Sequence, residues 1–402
     1  MPRGVDGTVR AGLLGEFGVH NFGNEASLAA VLEVVRSEPG VVPVVVADRC
    51  AVVRAEHGVE AVPLHDPAGR RGGALAVLGK LRDARHAWRT VRALDVVVVP
   101  GTGIFEGLAI APGGVPLTLF WYALAARALR RPLAVLSVGV DAAFHPVTTR
   151  LFRWTLDAAT VLSVRDEGSA RAARRLGVRR QLDVVPDLVL GTPAPAAPPA
   201  GTARVAVGVI DYRGIGTAEA AADREAYVGR VLRLVDQVAA AGVDVVVVGG
   251  ALPDAPTARE VVARASAGGP GRVGLSDARS LEDVSRALAG SRVVVAARYH
   301  NLVEAVRLRI PVVSLGYGAK QGRLLEQFGQ GDHVHAIDDF DPDAVADQVL
   351  GLVRSGPPDT GPALDDAVRV LAAQAEALRG MLRASAPDPV AGPGRERSEA
   401  AR

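Results

Sequence analysis

Short, largely apolar, valine-rich runs recur along the chain, each separated from the next by a longer stretch of helical period. In the first half the runs are Thr8–Gly15, Val41–Ala47, Glu60–Leu64, Asp95–Pro100, Pro132–Gly139, Thr160–Val164 and Leu182–Val185. The helical stretches between them include Glu25–Arg36, Gly73–Leu94, Pro116–Leu129, Thr148–Ala158 and Glu167–Leu176. A strand without polar alternation must be covered on both faces, which points to parallel sheets whose crossovers are helices. The alternation stops at Gly191–Ala203, a Pro- and Ala-rich segment with few side chains able to pack. It restarts through Val205–Ile210, Val243–Val248, Arg272–Leu275, Arg292–Ala296, Pro311–Leu315 and Asp332–Ala336. The expectation is an α/β protein of two Rossmann-like, doubly wound parallel-sheet domains facing a cleft. They span residues 1–190 and 204–355, joined by a linker at 191–203. A helix within 356–386 is expected to pack across both domains, and the tail 387–402 to be disordered.

Composition narrows the function. The 44 acidic residues nearly offset the 46 basic ones, so the chain lacks the basic field that nucleic-acid binding needs. A single cysteine, Cys50, excludes an intrachain disulfide and a Cys-rich zinc site. The N-terminus does not read as a signal peptide, and the longest apolar runs are far short of a membrane span. A cytoplasmic protein without a transmembrane segment is expected. Lysine has almost vanished in favour of arginine: only Lys80 and Lys320 remain.

In doubly wound sheets the ligand lies beyond the carboxyl ends of the strands, so those ends carry the functional signal. The first strand ends in GLLGEFGVHNFGNEASLAAVL, where Asn21 or Asn24 can cap a helix beginning near Glu25. The fourth ends in DVVVVPGTGIFEG, placing Gly101, Thr102 and Gly103 in the crevice. Arg165 and Asp166 follow the sixth strand. Asp166 reads as a helix N-cap, whereas Arg165 needs an anion, from a neighbouring carboxylate or from a ligand. The most informative segment is SRVVVAARYHNLVEAVRLRIPVVSLGYGAKQGRLLEQFG. It puts Arg298 and His300 at one strand end and Lys320 at the next, two fixed cations and an imidazole suited to a multiply charged anion. His57, His65 and His86 read as surface residues, as do Arg171, Arg174 and Arg175. His20 and His145 are secondary candidates. His333 and His335 alternate on one strand face but have no third ligand at an obvious spacing, and no metal is called for.

Taken in order, these motifs resemble the polysaccharide pyruvyl transferase family from about Val9 to Val334. The resemblance rests on Gly15, Gly18, Asn21, Gly23 and Glu25, then Gly101 and Gly103. It continues through the S-V-R-D-x-x-S segment Ser163–Ser169 and through Arg298, His300, Tyr317 and Lys320. Two departures lie in the first half: Asn24 stands where the family usually has Asp, and Thr102 interrupts a usual run of glycines. The resemblance implies a GT-B-like pair of domains, phosphoenolpyruvate as donor, and two sugar hydroxyls as acceptor, giving a cyclic pyruvate ketal. It implies no cofactor. Under it, His300 is the candidate general acid, and Arg298 and Lys320 bind the donor with Arg165 and Tyr317. Glu25 would accept a hydroxyl proton, and Asn21, Gly23, Gly101, Thr102 and Gly103 would face a sugar, nucleotide-sugar or lipid-linked acceptor. The competing readings are a glycosyltransferase using a nucleotide sugar, with Asp254 near its ribose, and a non-catalytic glycan-binding relative.

Overall fold

The structure is a computed structural model. It describes residues 8–386 except 20, 68–75, 108–109, 143, 196–203, 215–219, 266–268 and 357–359. His20, the tail 387–402, most of the linker and the start of the helix at Gly73 therefore lie outside the described residues.

The first lobe contains strands β1 (Val9–Leu14), β2 (Val41–Ala47), β3 (Glu60–Pro63), β4 (Val96–Val99), β5 (Leu133–Val138), β6 (Val161–Val164) and β7 (Asp183–Val184). Its helices are α1 (Phe22–Arg36), α2 (Cys50–His57), α3 (Ala76–Arg92), α4 (Val115–Ala128), α5 (Pro146–Asp157) and α6 (Glu167–Arg175). The second lobe contains β8 (Arg204–Val209), β9 (Asp244–Gly249), β10 (Val273–Ser276), β11 (Val293–Ala296), β12 (Val312–Gly316) and β13 (Val334–Ala336). Its helices are α7 (Ala220–Ala240), α8 (Ala255–Arg264), α9 (Leu281–Leu288), α10 (Tyr299–Arg307), α11 (Ala319–Gln327) and α12 (Pro342–Ser355), and α13 (Gly361–Ala384) is the last element among the described residues.

Both sheets are wholly parallel, with orders β3-β2-β1-β4-β5-β6-β7 and β10-β9-β8-β11-β12-β13. These are doubly wound orders, and the valine runs of β4, β8 and β11 are buried almost throughout, as strands sandwiched between helix layers must be. The order reverses between β1 and β4 in one lobe and between β8 and β11 in the other. The loops leaving those strands open into the crevice between lobes.

The lobes share apolar packing behind that crevice. One continuous cluster joins Leu28 and Val31 of α1, Val284 and Leu288 of α9, Leu302 and Val306 of α10, and Leu371, Leu378 and Leu382 of α13. Burying each such leucine contributes about 1.5–3 kcal/mol. The last helix begins beside the second lobe, where Arg309 pairs with Asp365 at 2.7 Å. It then runs onto the first, where Gln374 donates to Ser137 Oγ at 3.0 Å and also hydrogen-bonds Ser163. Arg383 closes on Glu38 at 2.7 Å.

Two local readings are corrected. The first helix starts at Phe22, not near Glu25: Asn21 Oδ1 accepts the Gly23 N–H at 3.2 Å and is the cap, while Asn24 sits inside the helix and donates to the Glu16 carbonyl. His57, His65 and His86 are half-buried rather than on the surface: His57 ends α2, a helix unread in the sequence, His65 lies between Asp48 and Asp83, and His86 of α3 bonds the Pro63 carbonyl.

Candidate functional site

A cleft of about 980 Å³ lies between the lobes, built from the strand ends that the topology brings together. From the first lobe it takes Glu16 and Asn21 after β1, Thr102, Gly103 and Glu106 after β4, and Arg165 after β6. From the second it takes Arg298, Tyr299 and His300 after β11, and Tyr317 and Lys320 after β12. Arg298, His300 and Lys320 thus face one space, together with Arg165 and Tyr317. Six cationic side chains line it against three carboxylates, so the cleft has a surplus of positive charge and favours an anion.

The cations are held by buried carboxylates: Asp254, read from the sequence as a ribose acceptor, and Glu106, which the sequence reading passed over. Arg298 N-caps α10 and forms a two-pronged bond to Asp254, Nε to Oδ2 at 2.8 Å and Nη2 to Oδ1 at 2.7 Å. Asp254 is fully buried and also accepts the N–H groups of Gly250 and Asp211. It is spent on Arg298 and is no free acceptor for a ribose. Arg165 hydrogen-bonds Glu106, and Lys320 Nζ lies 3.5 Å from the same carboxylate. Burial alone would raise the Glu106 carboxyl, but Arg165 and Lys320 outweigh it and hold it below the ordinary carboxylate range. The Arg165 guanidinium lies 4.3 Å above the Tyr299 ring centroid, and the Lys320 ammonium lies 5.9 Å from it. Tyr299 is therefore a platform between the two cations.

His300 is inserted between the lobes. Its Nε2 lies 3.7 Å from Asp187 Oδ2, and its ring meets the Tyr299 ring edge to face at 5.3 Å. Its other edge rests on Gly23 of the opposite lobe, where a Cβ would come within 1.9 Å of Nδ1. Burial pushes the imidazole below its ordinary value of 6.5. Asp187 opposes this, while Arg165 and Lys320 push the same way. The imidazole of His300 therefore takes up a proton less readily than an ordinary histidine. The contact with Gly23 yields a direct expectation. Gly23→Ala should displace the imidazole and lower turnover by about 10²-fold, as misplacement near 1 Å can, with an unchanged circular dichroism spectrum. Wild-type turnover in that variant would remove His300 from the chemistry.

Several expected site residues lie elsewhere. Glu25 does not line the cleft. Its Oε1 accepts the Gly18 N–H at 2.7 Å and its Oε2 lies 3.6 Å from His57, so it fixes the β1–α1 turn from the far side. With Glu56 and His57 it forms a cluster whose ligand atoms lie within 4.8 Å of one another. Gly23 is covered by His300 and Gly101 packs on the backbone of β5, so neither surface is open to an acceptor. Arg171 and Arg175 are exposed, as read from the sequence, and they also line the cleft. His145 caps α5, and His333 and His335 bond separately to Val312 and Gln348. Of the missed residues, Asp187 carried a signal: it is the one charge in the apolar run Val184–Leu190 and is 3% exposed.

The model of the family described as polysaccharide pyruvyl transferase matches residues 21–318. The chain belongs to the polysaccharide pyruvyl transferase family. That is a transferase family, and its matched span includes Arg165, Arg298 and His300 but ends two residues before Lys320. No curated protein matches the sequence. Among solved structures, a putative UDP-N-acetylglucosamine 2-epimerase from Listeria monocytogenes superposes with a TM-score of 0.62 at 15% identity, covering 93% of this chain and 97% of the other. MurG of Acinetobacter baumannii gives 0.54 at 12% identity over 94% and 99%. The spinosyn rhamnosyltransferase SpnG gives 0.53 at 15% identity over 93% and 100%. At such identities the likeness is one of fold, and it makes this pyruvyl transferase family member a GT-B-like protein. No helix among the described residues is long and apolar enough to cross a membrane.

Proposed function

We propose that the protein moves the pyruvyl group of phosphoenolpyruvate onto two hydroxyls of a sugar-containing acceptor in the cytoplasm, forming a cyclic ketal and releasing phosphate. The observation that carries this reading is the convergence of Arg298, His300 and Lys320 on one cationic cleft. Phosphoenolpyruvate presents a carboxylate and a phosphate, and both need fixed cations. Arg298, gripped on one edge by Asp254, presents a pre-oriented guanidinium. Lys320 adds a second charge, 5.9 Å from the ring centroids of Tyr317 and Tyr299.

The reaction starts with protonation of the donor's methylene carbon, which leaves an oxocarbenium-like centre for the first hydroxyl. The donor's negative charge offsets the push of Arg165 and Lys320 on His300, so the imidazole gains its proton as the donor binds. His300 then gives that proton to carbon. The first hydroxyl adds, phosphate departs with the pair of electrons from its C–O bond, and the second hydroxyl closes the ring. Of the two hydroxyl protons, one restores His300 and the other leaves on phosphate. The acceptor-base role expected of Glu25 passes to Glu16, which lines the cleft, has its carboxyl pushed above its ordinary range by burial and by Asp48, and takes up the second hydroxyl proton before handing it to the departing phosphate.

The test is phosphate release from phosphoenolpyruvate over a panel of glycosides, nucleotide sugars and lipid-linked sugars. Failure of phosphoenolpyruvate to bind, with turnover of nucleotide sugars instead, would return the protein to the glycosyltransferase class. Lys320→Gln is expected to raise the KM for phosphoenolpyruvate about tenfold, the worth of one charge-assisted contact. An unchanged KM would remove Lys320 from the donor site.

A further inference from the structure

The cleft holds more room and more charge than a three-carbon donor requires. At about 980 Å³ it is at the upper end of what a single drug-sized ligand fills. Arg298 is answered by Asp254, and Arg165 and Lys320 share Glu106. Arg171 and Arg175 are not answered. They lie one turn apart on α6, both exposed and both lining the cleft, and neither has a hydrogen-bond or ion-pair partner among the described residues. Like charges at that spacing repel each other, a cost that a bound anion removes.

The opposite lobe completes the band. Arg323 projects from α11 across Gly168, where a Cβ would come within 2.2 Å of its Cδ, and its Nε lies 2.9 Å from Asp166 Oδ1. Guanidinium groups from both lobes therefore meet along the α6 side of the cleft. Planar guanidinium pairs suit phosphoryl oxygens in two-pronged contact.

Building on the pyruvyl-transfer reading, we infer that this band binds the diphosphate of the acceptor, so that the sugar is pyruvylated while carried on a diphosphate and not as a free glycan. The carrier beyond the diphosphate is either a nucleoside or a polyprenyl chain. Isothermal titration of the full chain with UDP and with farnesyl diphosphate, each alone and after saturation with phosphoenolpyruvate, tests the site and separates the carriers. At least one probe should bind with the donor already in place. The double variant R171E/R175E should weaken that binding about tenfold or more, and by a larger factor than it weakens phosphoenolpyruvate binding. Tighter binding of UDP assigns a nucleotide carrier, and tighter binding of farnesyl diphosphate a lipid one. The inference is overturned if neither probe binds, if the probe merely displaces phosphoenolpyruvate, or if R171E/R175E binds it as tightly as the wild type. A wild type that binds a diphosphate through these arginines but not phosphoenolpyruvate keeps the site and sinks the donor reading.

Discussion

His300→Asn should lower the rate of phosphate release from phosphoenolpyruvate by about 10²–10⁴-fold, the usual worth of a positioned general acid. Donor binding should persist, because Arg298 and Lys320 remain. The pH profiles carry the sign. The free protein holds His300 below 6.5, so its protonated fraction, and with it kcat/KM, falls as pH rises from the acid side. In the donor complex the added negative charge raises the imidazole, so the descending limb of kcat should lie at higher pH than that of kcat/KM. Both limbs should vanish in His300→Asn. Coincident limbs, or limbs that survive the substitution, would assign the proton to another group. Asp187 enters here as a positioning residue: with its carboxylate 3.7 Å from Nε2, Asp187→Asn should move both limbs to lower pH.

Arg298→Met carries the second large effect, on stability. It leaves Asp254 fully buried with two backbone N–H donors but no counter-charge. Breaking a buried pair in this way costs about 3–5 kcal/mol, and the lower end applies because the Arg298 side chain is 32% exposed. Urea unfolding should report a loss of about 3 kcal/mol. The double variant Arg298→Met/Asp254→Asn should recover most of it, since the amide oxygen still accepts from Gly250 or Asp211 and no charge remains buried. A loss below about 1 kcal/mol would mean that water reaches Asp254 and that the pair does not fix the guanidinium.

The fold was legible because its signal is local. Each buried parallel strand is a short apolar run of its own, so every strand from β1 to β13 could be read within a residue or two of its ends. Arg298, His300 and Lys320 stood out in the sequence because charged or titratable side chains that closely follow apolar strands need a partner that no neighbouring residue supplies. Their carboxylate partners were hidden by distance along the chain. Asp254 lies 44 residues from Arg298, and Glu106 lies 59 from Arg165. No spacing rule links such pairs before the sheet order is known. Glu25 misled for the converse reason: it belongs to the opening motif, but beginning α1 at Phe22 turns its side chain toward Gly18 and His57. Gly23, read as backbone approaching a sugar, is instead the seat of an imidazole from the other lobe.

The last helix has a consequence for biosynthesis. Ser137 and Ser163 sit on inner strands of the lobe that leaves the ribosome first, yet the amide that joins them belongs to Gln374, 237 and 211 residues further along the chain. Glu38 waits equally long for Arg383. The early lobe therefore completes these contacts only after α13 has been made, and a chain cut short before Gly361 is expected to expose the apolar surface that α13 covers.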